Sequence, residues 1–176
     1  QSFFNKKQPM VSDMHHLFTV FSVPNNRRSD RSFGYSYPKI IYTTQSGSRL
    51  SIKPKREGFS PDLPEDFSAE LPEEIEAAYD FIFEPSDKQK GNTARALFYF
   101  YTRYHNESIR QGDFDKKDFW LSRVDSFIKW AEVTDPVTDF EKIRNDKIEI
   151  IQGNRNPFVD IPNLATLISP GVLKTK

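Results

Sequence analysis

The chain has 176 residues, no cysteine, and 25 basic against 25 acidic side chains. This length predicts one domain with a core of its own, and the lack of cysteine excludes disulfides, thiolate metal sites and cysteine nucleophiles. No run of about 18 apolar residues occurs, so we expect no segment that spans a membrane.

The net charge of zero conceals a segregation of charge along the chain. Residues 1–60 contain ten Lys/Arg against three Asp/Glu, whereas residues 61–87 contain ten acidic residues and no basic one. A basic N-terminal third suits a polyanionic partner. The acidic stretch is more simply interpreted as a solvated face or loop.

Residues 1–37 are predicted to be irregular around one short helix. That helix should begin near Pro24 or Asn25, because proline suits a first helical turn and asparagine caps one. Residues 38–44 and 49–53 are rich in β-branched and aromatic residues and flank a Q-S-G-S turn, so they predict a β-hairpin. Prolines between residues 54 and 72 predict a loop.

The C-terminal half is predicted to be helical, with three stripes at helical spacing that we interpret as core. The stripes comprise Ala94, Leu97, Phe98, Tyr101 and Tyr104; Trp120, Val124, Phe127, Ile128 and Ala131; and Phe140, Ile148 and Ile151. Asn92 or Thr93 is expected to cap the first helix. The third should start at Asp135-Pro136 and stop at Gly153. Arg144 interrupts the third stripe, which predicts a buried ion pair, with Glu141 as one candidate partner.

Most enzyme classes lack their signatures in this sequence. It has no glycine-rich phosphate loop, no G-x-S-x-G elbow and no H-E-x-x-H zinc pattern. Three histidines remain, of which His15 and His16 are adjacent. Adjacent side chains of an extended segment point to opposite sides, so this pair should not chelate one ion. A site role for one of them and structural roles for both stay open.

If a helix begins at Pro24, then Asn25 and Arg28 share one face, three residues apart. An asparagine carbonyl oxygen is a hard ligand suited to Mg²⁺ or Ca²⁺, and a neighbouring arginine could hold a phosphate in a fork. The alternative is a capped helix start with solvated arginines. A second polar run, Q-G-N-R-N-P-F at residues 152–158, could serve a helix C-terminus or a phosphate backbone equally well.

Taken in order, these segments resemble the bacterial endonuclease I family. D-M-H-H-L at residues 13–17, N-N-R-R-S at 25–29 and F-G at 33–34 are similar to the family's first motifs. K-G-N at residues 90–92 and A-R-A-L-F-Y at 94–99 look like its next helix. D-P-V at residues 135–137, Glu141, R-N at 144–145 and the polar run at 152–158 resemble its C-terminal signature. The matches keep the family's order from residue 1 to about residue 162.

The resemblance implies an α+β fold with a ββα-metal (His-Me finger) site and a helical C-terminal half, in one domain over residues 1–176. It implies a metal-dependent endonuclease that hydrolyses DNA and RNA with little sequence preference, using Mg²⁺, with Ca²⁺ or Mn²⁺ as alternatives. Carried over by position, Asn25 is the metal ligand, and the catalytic candidates are His15, His16 and Arg28. The substrate-binding candidates are Arg27, Arg28, Arg95, Asn154 and Arg155, with structural roles favoured for Arg95 and Arg155.

The same resemblance implies export to the periplasm or the medium, nucleic acid as the partner, no membrane association and a monomer. The chain departs from the family in one important segment. The family's G-E-H-x-W-P-x-S motif, which carries the general base, does not occur here, and Q-S-F-F at residues 1–4 looks like the residues that follow it. We therefore expect the catalytic histidine and glutamate upstream of residue 1, in a truncated or processed protein.

Smaller departures are Pro24, where the family usually has valine, and Asp30, where it has asparagine. Two other functions stay open beside the nuclease. One is a catalytically inactive nucleic-acid-binding module that keeps the scaffold without the base, and it predicts salt-sensitive binding without cleavage. The other is a periplasmic protein with a structural role, which predicts no affinity for nucleic acid.

Overall fold

The structure is a computed structural model that describes residues 8–58, 62–63, 71–105, 107 and 117–168, with residues 117–121 described by their backbone alone. The chain divides into two compact units. The sheet unit is Thr19–Ser86, and the helical unit combines Gln1–Phe18 with Asp87–Lys176. The single domain over residues 1–176 stays a prediction, whereas the α+β class is confirmed.

The sheet unit is built on three antiparallel strands in the order β1-β2-β3. The strands are β1 Lys39–Thr43, β2 Arg49–Pro54 and β3 Tyr79–Glu84. β1 and β2 form the predicted hairpin, and Gly47 supplies the positive φ of +93° that its turn requires. The core of this unit lies between the sheet and helix α2, Glu73–Ala78, and centres on the buried side chains Leu50, Ile52, Ile75 and Tyr79.

The described part of the acidic stretch confirms the predicted solvated face, but it is not all loop. Its exposed acids include Glu73, Glu74, Glu76 and Asp80. Helix α2 and strand β3 occupy residues 73–84, because apolar side chains such as Ile75 and Ile82 alternate with the acids and are buried. Glu84 is itself buried, and its carboxylate accepts a hydrogen bond from the Ser36 N–H at 2.9 Å. Most of the predicted loop between residues 54 and 72 lies outside the described residues.

Helix α1 is Ser22–Arg28 and begins two to three residues earlier than predicted. Phe21 is its N-cap and makes no capping hydrogen bond through its side chain. The Asn25 N–H donates to the Phe21 carbonyl at 3.2 Å, so Asn25 lies one turn inside the helix and is not its cap. Pro24 sits in the first turn, where a missing N–H removes no helical hydrogen bond.

The helical unit contains two 3₁₀ turns, Met10–Ser12 and Met14–His16, and a set of α-helices that follows the sheet unit in the chain. The helices are α3 Asp87–Arg103, α4 Lys117–Lys129, α5 Asp139–Gln152, α6 Pro157–Asp160 and α7 Leu164–Leu167. A π-helical turn, Trp130–Thr134, continues α4. In the part of the chain that the structure describes, no helix combines the length and apolar character needed to cross a membrane.

The core of the helical unit confirms the first two predicted stripes. Ala94, Phe98, Val124 and Phe127 are all 0% exposed, whereas the side chain of Trp120 lies outside the described residues. The third stripe is wrong in part. Ile148 is buried, but Phe140 is 77% and Ile151 70% exposed.

Two helices begin at residues other than those predicted. α3 starts at Asp87, so Asn92 and Thr93 lie inside it and cap nothing. α5 starts after Thr138, whose hydroxyl accepts from the Glu141 N–H while the Glu141 carboxylate accepts from the Thr138 N–H. Gly153 ends α5 with a φ of +79°, as predicted.

Gly91 is the position in α3 where a side chain would disrupt the fold most directly. A Cβ there would lie 1.9 Å from the Asp135 carbonyl oxygen and 2.8 Å from both Nη atoms of Arg95. We expect Gly91→Ala to lower the free energy of unfolding by about 2–3 kcal/mol, measured by urea denaturation. The control is Lys88→Ala, at an exposed position of the same helix. Unchanged stability of Gly91→Ala would contradict this close approach.

Candidate active site

Arg28 ends helix α1 and is half-buried in the sheet unit. Its guanidinium carbon lies 4.3 Å from the centre of the Phe33 ring, and Nη1 donates to the Ser29 carbonyl at 3.0 Å. Its buried Nε–H has no hydrogen-bond partner, and among the described residues no acidic side chain forms an ion pair with it. Burial lowers the pKa of Arg28, and the charge of Asp30 offsets part of this effect. Catalytic and substrate-binding roles for Arg28 stay predictions.

The other arginines around α1 also lie over aromatic rings. Arg27 lies 4.8 Å from the Tyr42 ring centre. Arg31 lies 4.7 Å from the Phe81 ring centre and pairs with Glu76 at 2.8 Å. Rings that hold these long side chains in place reduce the rotamer freedom that binding a ligand would remove.

Asn25 lies one turn before Arg28 on α1 and is exposed. Its backbone carbonyl accepts from the Ser29 N–H at 2.8 Å, while its side-chain amide makes no hydrogen bond to any described residue. The amide oxygen is therefore open to a hard cation such as Mg²⁺, which often takes one or two protein ligands and fills its shell with water and phosphate oxygens. The described residues contain no group of three His, Asp or Glu side chains able to hold a metal. A metal-binding role for Asn25 stays a prediction.

Ser29 directly follows Arg28 and has a strained backbone, with φ +49° and ψ −125°. This conformation favours glycine. The Arg31 N–H donates to the Arg28 carbonyl at 2.9 Å, which closes a tight turn around Ser29. This strain is not predictable from the sequence, because serine in a polar run carries no signal of a positive φ.

In the helical unit, a buried cluster of hydrogen bonds centres on Asp13, which is 1% exposed. Its carboxylate accepts from the hydroxyls of Tyr99 at 2.7 Å and Tyr104 at 2.6 Å and from Gln152 Nε2 at 2.9 Å. Burial alone would raise the pKa of Asp13, but these hydrogen bonds and one from the His15 N–H hold it below its usual value. Burial, together with the bond to Asp13, raises the pKa of Tyr104 to about 12.

Asp13 was not among the residues for which the sequence predicted a role. A signal was available, since Asp13 is one of only three acidic residues among the first 60 and it adjoins the paired histidines.

His15 and His16 lie in a 3₁₀ turn, not in the extended segment that the prediction assumed. Nε2 of His15 lies 3.0 Å from the Asn154 carbonyl oxygen, and Nε2 of His16 lies 2.7 Å from that of Met10. Burial lowers the pKa of both rings, so both are neutral at neutral pH. A carbonyl only accepts, so each Nε2 carries the proton. His15 is 1% exposed, and a catalytic role for either residue stays a prediction.

Arg95 is 2% exposed and paired with Glu141. Its Nε lies 2.9 Å from Glu141 Oε1, and a second N–H binds the other carboxylate oxygen. Nη1 donates to the backbone carbonyls of Ala131 and Asp135. These contacts give Arg95 a structural role, and its contact with substrate stays a prediction.

Arg144 interrupts the stripe of α5 for a different reason from the one predicted. Its Nη2 donates to the Met14 carbonyl at 2.5 Å and to the Leu17 carbonyl at 2.9 Å, and the guanidinium lies 4.8 Å from the Phe18 ring centre. The predicted ion pair with Glu141 is wrong, because that carboxylate binds Arg95. Arg144 instead anchors the segment of the paired histidines to α5.

Asn154 and Arg155 are both engaged within the helical unit. The Asn154 side chain donates to the Tyr99 hydroxyl at 2.7 Å and accepts from Gln152 Nε2 at 2.7 Å. Arg155 is surrounded by three carboxylates, which raise its pKa, and its partners within 2.8 Å are Asp146, Glu149 and Asp160. Substrate contacts of both residues stay predictions.

Comparison with known proteins found one matching family and two similar proteins. The sequence model of the family described as Endonuclease I matches residues 1–163. The chain is 36% identical to an extracellular ribonuclease of Bacillus amyloliquefaciens over 94 residues, which are 47% of this chain and 31% of that protein. It is 37% identical to an extracellular ribonuclease of Bacillus subtilis (strain 168) over 101 residues, 50% of this chain and 33% of that protein. The matches therefore span about a third of these relatives' length. No solved structure matches the chain.

Replacement of Ser29 tests the strained turn beside Arg28. Ser29→Gly removes the Cβ that disfavours a positive φ, so the free energy of unfolding should rise by about 1 kcal/mol. Ser29→Ala keeps a Cβ and should give no such gain. Urea denaturation of the three proteins provides the comparison, and a glycine variant less stable than the parent would contradict the strain.

Asp13→Asn tests the buried carboxylate. The folded pKa of Asp13 lies below its usual value of 3.8, so its charge stabilises the fold above about pH 3.8, and the contribution is lost as the pH falls through the folded pKa. We expect the variant to be less stable than the parent by about 2–3 kcal/mol at neutral pH. This deficit should shrink below about pH 3.8.

Urea denaturation across this pH range measures the deficit. Asp80→Asn, at an exposed aspartate, is the control and should show no comparable deficit at any pH. A deficit of Asp13→Asn that does not depend on pH would rule out the charged form as the stabilising one.

Proposed function

Because the chain belongs to the endonuclease I family, we propose that it acts in the metal-dependent hydrolysis of phosphodiester bonds in RNA and DNA, with little sequence preference. The observation that carries the proposal is the arrangement on α1. An exposed Asn25 amide lies one turn from Arg28, a half-buried guanidinium that pairs with no acid among the described residues. A charge kept partly out of water without a partner is destabilising unless a ligand supplies the counter-charge.

In this function Arg28 binds a phosphate oxygen through its N–H groups. The Phe33 ring beneath the guanidinium and the bond to the Ser29 carbonyl fix its direction, so little ordering is left to occur on binding. Asn25 would hold Mg²⁺, or Ca²⁺ or Mn²⁺ as alternatives. When bound, such an ion neutralises the phosphate and stabilises the leaving oxygen. Arg27 adds a second positive charge on the same short helix.

We propose that this site belongs to a His-Me finger, and only the family membership supports this proposal. The ββα order places two strands before the metal-binding helix, whereas the described strands β1 and β2 follow α1 in the chain. The finger's general base, a histidine beside a glutamate, is proposed to belong to the family's G-E-H-x-W-P-x-S motif, which these 176 residues do not contain. His15 and His16 are the alternative bases within them.

RNA as a substrate and secretion or export to the periplasm are proposed from the relatives. Both carry the name extracellular ribonuclease. The catalytically inactive nucleic-acid-binding module remains the second candidate, and the excess of ten basic over three acidic residues in residues 1–60 favours binding in either case.

Cleavage of RNA and of plasmid DNA, in Mg²⁺ and in EDTA, tests the proposal. We expect EDTA to abolish cleavage and Asn25→Ala to lower its rate by about 100-fold or more, because the ligand to the catalytic ion is lost. Asn26→Ala, at the neighbouring exposed asparagine of the same helix, is the matched control and should keep the parent rate. The chain is assayed as it stands and extended upstream by its native residues.

Cleavage that resists EDTA, or that Asn25→Ala leaves unchanged, would contradict the metal site on α1. Cleavage by the chain as it stands would make His15 or His16 the suspected base. Salt-sensitive binding without cleavage by either form would replace the nuclease with the binding module.

A further inference from the structure

A groove of the sheet unit runs between the start of α1 and the turn of the β1–β2 hairpin. It is lined by Phe21, Pro24, Tyr42 and the turn residues 43–46. Phe21 is 86% exposed, although a phenylalanine ring is among the side chains that burial stabilises most. Val20 and Val23 beside it are 57% and 55% exposed. An apolar surface of this kind at a groove is typical of a binding site.

The groove is flanked by positive charge. Residues 22–54 carry six Lys/Arg and a single acidic residue, Asp30. Arg27 lies 4.8 Å from the Tyr42 ring centre, on the α1 side. Arg49 lies opposite Thr43 in the register of the hairpin, and Thr43 lines the groove. The apolar surface therefore lies in a basic part of the chain, which favours an occupant that is aromatic and anionic at once.

The hairpin turn supplies hydrogen-bonding groups to the same groove. Thr44 Oγ1 serves the turn itself and accepts from the Ser48 N–H at 2.8 Å. The Gln45 side chain is exposed, and its amide makes no hydrogen bond to any described residue. A ring for stacking, an amide for a base edge and a guanidinium for a phosphate are the three groups with which proteins bind unpaired bases.

We propose that this groove is a base-stacking subsite for single-stranded nucleic acid. Phe21 stacks on one base, the Gln45 amide hydrogen-bonds to the edge of that base, and Arg27 binds the adjoining phosphate. A base within a duplex is stacked on both faces and reaches Phe21 only by leaving the stack, so the subsite selects single strands over duplexes. The inference rests on the proposed function and adds to it a preference for single-stranded RNA or DNA over duplexes.

Fluorescence anisotropy in EDTA tests the subsite without turnover. The probes are a labelled single-stranded RNA of about 12 nucleotides, within the usual size of such sites, and a blunt DNA duplex of the same length. We expect Phe21→Ala to weaken binding of the single strand about 10- to 100-fold and to leave the duplex affinity nearly unchanged. Phe21→Trp keeps a stacking surface and should bind the single strand at least as well as the parent.

The matched control is Phe140→Ala, at a phenylalanine of α5 that is 77% exposed and lies in the helical unit. It should change neither affinity. Circular dichroism melting confirms that each variant is folded. An unchanged affinity of Phe21→Ala for the single strand, or an equal loss for both probes, would overturn the subsite. So would an effect of Phe21→Ala confined to self-association or to binding of phosphatidylglycerol vesicles.

These outcomes separate the subsite from the nuclease itself. Cleavage that persists while Phe21→Ala and the parent bind the single strand alike refutes the subsite alone. A selective loss of single-strand binding in a protein that cleaves nothing supports the subsite and refutes the nuclease alone.

Discussion

The helical unit depends on the ion pair between Arg95 and Glu141, which are 2% and 6% exposed. Removing two charges from water is strongly unfavourable unless each finds its partners. Arg95 meets both carboxylate oxygens of Glu141 and the backbone carbonyls of Ala131 and Asp135, so one guanidinium joins α3, the π-helical turn and the start of α5. The backbone of Asp135, which follows the π-helical turn, packs closely against α3 because Gly91 has no Cβ. Helix α3, held in this way, also supplies Tyr99 to the second buried cluster, and Tyr104 follows directly after the helix.

Arg28 in the sheet unit shows the opposite arrangement. The Arg28 guanidinium is also partly buried, against the Phe33 ring. Among the described residues, however, its Nε–H makes no hydrogen bond and no acid pairs with it. Breaking a buried ion pair such as that of Arg95 is strongly destabilising, whereas a half-buried guanidinium that forms no ion pair among the described residues is a candidate for binding a ligand. This contrast, more than the number of arginines, distinguishes the candidate site on α1 from the structural arginines Arg95 and Arg155. The strained backbone of Ser29 beside Arg28 points in the same direction, since strain is commonly retained where function requires it.

Features with local causes were predictable from the sequence, and those with distant partners were not. The hairpin, the stop at Gly153 and the i, i+3 spacing of Asn25 and Arg28 all follow from neighbouring residues. The start of α5 was mispredicted because the Asp135 carboxylate binds the Gly91 N–H, 44 residues away in the chain, and leaves the cap to the next threonine. The partner of Glu141 in α5 was mispredicted because Arg95 and Arg144 could both compete for its carboxylate. Only tertiary packing decides between them. The lack of an acidic partner for Arg28 among the described residues is equally a product of tertiary packing.

The central claim is that helix α1 binds a divalent cation through Asn25. Titration of ¹⁵N-labelled protein with paramagnetic Mn²⁺, followed through the backbone and side-chain amide signals, tests this claim without any substrate or turnover. We expect the Asn25 amide signals to broaden at the lowest Mn²⁺ concentrations and to recover when excess Mg²⁺ displaces the manganese. Broadening that begins among the acidic residues 73–84 while the Asn25 signals stay sharp would contradict the claim.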